Sequence, residues 1–318
     1  MDGIAYLEVN RIQRWIGIIL IVNYMQVVKK YSQLIYNITQ KYIKVNKNVI
    51  GDWVMVKNKV NIYFDESGKR EKNGPKLMGA ILVPEHIYSL EDLLAINERL
   101  RNKEIKYHFT DYNGNRGHMA NYIEKISVFS KYLKYCSLNI ISYRIPNSNH
   151  IDQETVKNMI YTKFPERVFY GLLRNNGEGL YIDADIYMEE ASEYNEMIKT
   201  LPMTLNTQSI YRGERFKITD SKLIPKNVEI GVEFTDTVLG MIRQIIMSIN
   251  EEGPVSKAKR AKNSLIMECL KIDGFYDFLS NISYYEWRNT STLREVKFAN
   301  YLKFFVSKQL VISQEKSN

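Results

Sequence analysis

The chain has 318 residues, 45% hydrophobic and 25% charged: ample material for a buried core and too apolar for wholesale disorder. Its formal net charge of +8 favours polyanionic partners and says nothing about fold. Two distant cysteines, Cys136 and Cys269, rule against a disulfide framework or a CxxC knuckle and read as two buried thiols in a reducing cytoplasm. Four scattered histidines, His86, His108, His118 and His150, rule against HExxH or HxH zinc ligation.

Residues 1–54 read differently from the rest. Trp15 to Val22 is apolar but too short to cross a membrane, and Asn23 and Gln26 interrupt any extension. No small-residue cleavage site follows, so a signal peptide is not expected. An amphipathic helix over about 12–43 fits the pattern and suits docking or homo-oligomerisation. Met55 stands just before the first clear strand, so residues 1–54 also fit an upstream extension from a misassigned start codon.

An α/β pattern begins at Val60. Val60–Asp65 is strand-like, Glu66-Ser67-Gly68 turns, and the apolar run Leu77–Val83 ends at Pro84, which predicts a hairpin. Helices are predicted over Leu90–Arg101 and Met119–Tyr135, a strand over Leu138–Ile145, and a helix over Glu154–Arg174 broken or kinked near Pro165. After Asn175-Asn176-Gly177 come a strand over Leu180–Met188, a short strand over Arg215–Ile218 and a helix over Gly231–Asn250. The tail from Ser256 reads as mostly helical, with a basic stretch from Lys257 to Lys262. The division expected is an N-terminal extension over 1–54, an α/β core over 55–250 and a helical C-terminal region over 251–318. Two strands followed by helices alternating with single strands imply a mixed sheet flanked by helices.

Acidic residues at strand ends are the candidate chemistry, because divalent cations such as Mg2+ take oxygen ligands and carboxylates supply them. Asp65 closes the first strand; an ordinary turn aspartate looks the same. Asp183 and Asp185, two apart, fall on one strand face. Like charges side by side in an apolar strand need a cation or donors, unless the face is a solvated edge. Asp236, Gly240 and Arg243 share one side of a helix, where Gly240 would let the helix approach the sheet closely. Glu104 and Lys106 share one side of an extended segment, a weaker signal.

Together, Ile62-Tyr63-Phe64-Asp65-Glu66-Ser67-Gly68, Glu104-Ile105-Lys106, Tyr181-Ile182-Asp183 and Thr235-Asp236 with Gly240 resemble the bacterial family called domain of unknown function 3800, over roughly residues 60–245. The resemblance implies a ribonuclease H-like fold and a metal-dependent nuclease of mobile-element or phage-defence settings. It implies an acidic quartet of Asp65, Glu104, Asp183 and Asp236, with Asp185 an alternative to Asp183, holding Mg2+ or Mn2+. Lys106 and Arg243 would contact substrate phosphates. Glu233-Phe234-Thr235-Asp236 departs from the family's Gln-x-Ala-Asp, which puts close packing at the larger Thr235 in question. The substrate that the resemblance implies is nucleic acid, with DNA and RNA both open. Two other readings stay open: a non-catalytic nucleic-acid-binding or assembly protein on the same fold, and a phosphatase. For the latter, Leu180 to Asp185 resembles the haloacid dehalogenase type, with Asp183 as nucleophile.

Overall fold

The computed structural model describes residues 58–69, 74–145, 152–174, 180–249, 251, 253, 255–288 and 292–315. The expected N-terminal helix and the turn at Asn175-Asn176-Gly177 lie outside them.

One seven-stranded sheet organises the molecule. Its strands are β1 (Asn58–Ser67), β2 (Lys76–Pro84), β3 (Ser137–Tyr143), β4 (Ile182–Glu189), β5 (Phe216–Ile224), β6 (Ser283–Trp287) and β7 (Arg294–Glu295), in the order β5-β4-β1-β2-β3-β6-β7. β1 and β2 form the expected hairpin, although Glu66 and Ser67 extend β1 where a turn was expected, and β3 pairs antiparallel to β2 to complete a meander. β4 runs parallel to β1, and β5 parallel to β4. This meander, extended by two parallel strands on its β1 side, is the ribonuclease H-like mixed sheet.

Side chains alternate across the strands, so each face builds its own core. Ile62 and Phe64 of β1 pack on one face with Phe169 and Leu205. Those two come from α3 (Gln153–Leu173) and α4 (Asn195–Arg212), once α1 (Glu91–Arg101) and α2 (Arg116–Ser130) are counted. Tyr63 packs on the other face with α1, α2 and α5 (Ile230–Ile249). α5 buries 18 of its 20 residues, which makes it the central helix of that layer. It lies on β1 and β2, with the C-terminal helix α8 (Phe298–Glu315) against it. Between these run α6 (Lys257–Cys269) and α7 (Phe275–Ser280).

Several elements differ from the sequence-based expectation. α3 runs unbroken through Pro165, capped by Asp152, whose carboxylate accepts the backbone N–H groups of Glu154 and Thr155 at 3.1 Å. β5 is twice the expected length, because its pairing with β4 shifts between Ala184 and Asp185 and absorbs Thr219 as an extra residue. α4 is an element not predicted from the sequence, although Met197, Leu201 and Leu205 stand four apart and Gly213 closes it. The tail is not wholly helical: β6 pairs parallel to β3 and extends the same sheet. Cys269 is buried, but Cys136 is only partly so.

Candidate active site

Three carboxylates from distant parts of the chain meet at the ends of the two central strands. Asp65 stands near the end of β1 and is 5% exposed. The β1–β4 register pairs Phe64 with Met188, so Glu189, the last residue of β4, arrives beside Asp65. Asp236 enters from α5 above them. All three line a pocket of about 570 Å3, with His108, Asp111, Lys226 and Lys69 on its walls. Gly68, at φ +83°, turns the chain away immediately after β1.

The electrostatics follow from crowding. Burial, then the charges of Asp236 and Glu189, push the Asp65 carboxyl well above its ordinary range. Among the described residues no lysine, arginine or histidine pairs with Asp65. Asp236 moves the other way: burial raises it, but the neighbouring His108, the charge of Lys125 and the backbone N–H of Phe109 (3.3 Å) bring it below the usual value. His108 is raised in turn, chiefly by the Asp236 carboxylate, which lies 3.8 Å from its Nδ1. Lys226 reaches Glu189 at 2.8 Å. Lys69 bridges Glu66 (2.8 Å) and Glu193 (3.0 Å) at the rim.

Behind the pocket lies a buried cation. Lys125 of α2 is fully enclosed; its ammonium donates to the Glu233 carbonyl at 3.0 Å and to the Thr237 hydroxyl, and sits 3.7 Å over the Tyr107 ring. Those two acceptors flank Asp236 on α5, so Lys125 braces the turn that presents it. Burial depresses Lys125 to about 7 and raises Glu233 to about 7.

Of the expected quartet, the structure brings Asp65 and Asp236 together and leaves Asp183 and Glu104 elsewhere. Asp183 and Asp185 do share the sheet face of Asp65, but at the wrong end: Asp183 is level with Lys59, six residues before Asp65 and so ~20 Å away at ~3.3 Å per residue. Asp185 is held by Lys59 at 3.2 Å and by the bulged Thr219 hydroxyl, which supplies the compensation its burial requires. This placement at the start of β4 also removes the strand-end nucleophile that the phosphatase reading needs. Glu104 is exposed beside Arg99, 3.9 Å away, and Lys106 is exposed and lines no part of the pocket. Arg243 is buried, its Nε donating to the Pro75 carbonyl at 2.8 Å, and so ties the β1–β2 connection to α5 instead of meeting substrate. Gly240 admits the Phe109 ring, not the sheet. Thr235 fits where Ala was expected, fully buried, with its hydroxyl donating to the Gly231 carbonyl at 2.8 Å. Glu189, His108 and Lys226 are the site residues the sequence did not reveal. For Glu189 the available signal was its place at the end of an apolar strand.

Chemically the pocket is acidic: seven carboxylates line it against two lysines and His108. An anionic ligand cannot enter that field without a cation. Among the described residues no three His, Cys, Asp or Glu side chains are drawn together tightly enough to hold a metal ion as they stand. The donor set nonetheless suits a hard divalent cation: three carboxylates supply oxygen ligands, and the buried Asp65 has no basic side chain bonded to it among the described residues.

No protein-family model matches the chain, and no curated protein matches it. Among solved structures, Bst-RNase HIII in complex with Mn2+ is similar over 80% of this chain and 71% of that one, at 13% identity and a TM-score of 0.32. A mutant form of Bst-RNase HIII aligns over 70% of this chain and 64% of that one, at the same identity and TM-score. The chain thus spans under two thirds of the mutant form's length. No helix among the described residues is long and apolar enough to cross a membrane.

Proposed function

We propose that the chain is a metal-dependent nuclease of the domain of unknown function 3800 family, working in the pocket of Asp65, Glu189 and Asp236. The observation that supports this reading is the buried Asp65 carboxyl, crowded by the charges of Asp236 and Glu189 in one pocket. Asp65, Glu189 and Asp236 are the residues that would hold Mg2+ or Mn2+. When bound, the ion neutralises these carboxylates and polarises the phosphodiester. Lys226 and Lys69 stand at the wall and rim, where they meet phosphate oxygens once the acids are neutralised. His108, kept protonated towards neutral pH by Asp236, holds a proton on the pocket wall, where the departing oxygen of a cleaved phosphodiester needs one.

The test is cleavage of single- and double-stranded DNA and RNA by purified protein with Mg2+ or Mn2+. Asp65→Asn and Glu189→Gln are expected to abolish cleavage, and Asp183→Asn and Glu104→Gln to leave it intact. Activity that survives a chelator, or that is lost in Asp183→Asn and kept in Glu189→Gln, overturns the assignment. Nucleic-acid binding without cleavage by any preparation supports the non-catalytic reading of the same fold.

A further inference from the structure

A second cavity, of about 540 Å3, opens on the opposite face of the sheet from Asp65, between α3, α4 and the strands β3 and β6. That volume is in the range of small-molecule sites. Its charge is opposite to that of the first: Lys163, Arg167, Arg174 and Arg212 line it against one carboxylate, Glu166. Glu166 is already engaged, by Lys163 at 2.9 Å and by the Gln208 amide. Among the described residues the three arginines therefore have no carboxylate partner. Arg212 lies over the Tyr170 ring, 5.0 Å from its centre, which fixes the guanidinium at the cavity wall.

Exposed arginines alone make no site, since solvated guanidinium groups are common on helix surfaces. The lining of the cavity adds an independent observation. Asn139 of β3 lines the cavity and is 3% exposed; its amide donates to the Val168 carbonyl at 3.0 Å, while its oxygen Oδ1 is buried with no donor. A buried acceptor left unsatisfied costs free energy, and such groups mark places where a partner is missing. Beside Asn139 lie apolar and aromatic surfaces, Ile141 of β3 and Tyr285 of β6. A planar group fits against this lining, and phosphates fit the arginine rim, where guanidinium forks meet phosphate oxygens two at a time.

We propose that this cavity binds a nucleotide, with its phosphates on Arg167, Arg174 and Arg212 and its base against Tyr285 and Asn139. The nucleotide is either free or part of a strand, and the chemistry is the same for both. The site is separate from the acidic pocket and does not depend on its activity.

Calorimetric titration of the full chain, with chelator present, tests this with ATP, inorganic triphosphate and a short single-stranded oligonucleotide. Saturable binding of ATP or of the oligonucleotide is expected, weakened at least about tenfold, or 1.4 kcal/mol, in Arg167→Ala/Arg212→Ala and unchanged in Asp65→Asn. Both arginines are exposed, so the double variant keeps its fold. ATP alone binding identifies a free nucleotide; the oligonucleotide alone identifies a strand. Absence of binding by both, equal binding in the double variant, or triphosphate binding as tightly as ATP overturns the proposal. Loss of the nuclease reading, by absent cleavage, would leave these results unaltered.

Discussion

Asp65 carries the largest electrostatic conflict in the acidic pocket. Its pKa is raised by burial and by Asp236 and Glu189, so the native state favours the protonated form. Stability from that proton is full below the ordinary aspartate value of 3.8 and is lost as pH rises through the native value. At neutral pH without divalent metal, Asp65→Asn is therefore expected to melt at or above the wild-type temperature, read by circular dichroism. A clear drop would make Asp65 a structural turn residue. Lys125 has a cleaner signature. Its pKa falls from 10.5 to about 7 on folding, because burial disfavours the charged amine. The unfolded chain then binds more protons between those values, so this group's contribution to stability is present above 10.5 and lost as pH falls through about 7. Urea unfolding should show wild-type stability rising from neutral pH towards pH 10, and Lys125→Met should flatten that rise. An unchanged slope in Lys125→Met would place the titration elsewhere.

At the scale of the element, α5 decides whether the site exists. It is buried almost all round, so it is positioned by close approach as well as by its apolar side chains. Gly231 is the tightest point against β1: a Cβ there would lie 2.5 Å from the Tyr63 ring. Tyr63 is itself 1% exposed and stacked on Tyr187, so the ring has nowhere to go. Gly231→Ala is expected to destabilise by about 1–3 kcal/mol through overpacking, against a gain in helix propensity of under about 1 kcal/mol. Denaturant titration would measure it, and a stabilised variant would refute the close approach. Because Asp236 lies just over one turn further along, the same variant should weaken metal-dependent activity more than its stability loss alone explains.

For the whole molecule, the two cavities divide the charge. The chain is +8 overall, yet the pocket at the ends of β1 and β4 is acidic and the cavity under β3 and β6 is basic. A cation that binds only the native state stabilises it by RT ln(1 + [L]/Kd), about 2.7 kcal/mol at a hundredfold excess over Kd. The melting temperature of wild type should thus rise by several degrees with millimolar Mg2+ or Mn2+. The rise should shrink in Asp65→Asn and in Glu189→Gln and persist in Asp183→Asn. A wild-type melting temperature indifferent to both ions would remove the metal from the proposed mechanism.

The sequence by itself determined the two-faced sheet, the hairpin of β1 and β2, the helix carrying Asp236, and the acid near the end of β1. Those features rest on local rules: alternation along a strand, helical spacing of apolar side chains, and turn residues such as Gly68 and Pro84. The same alternation placed Asp183 and Asp185 on the correct face, but Glu189 shares that face too, since all three are an even number of residues apart. Only the tertiary structure decided which of them stands beside Asp65. That choice is the parallel register of β1 and β4, strands more than a hundred residues apart: a period of two fixes which face a residue takes, but a slip by two residues keeps the face, and no tight turn joins these strands to select among such slips. Arg243 illustrates the same limit. Spacing placed it on Asp236's side of α5, but the β1–β2 connection folded over that side, and a basic residue that looked available to substrate became a buried tie to Pro75.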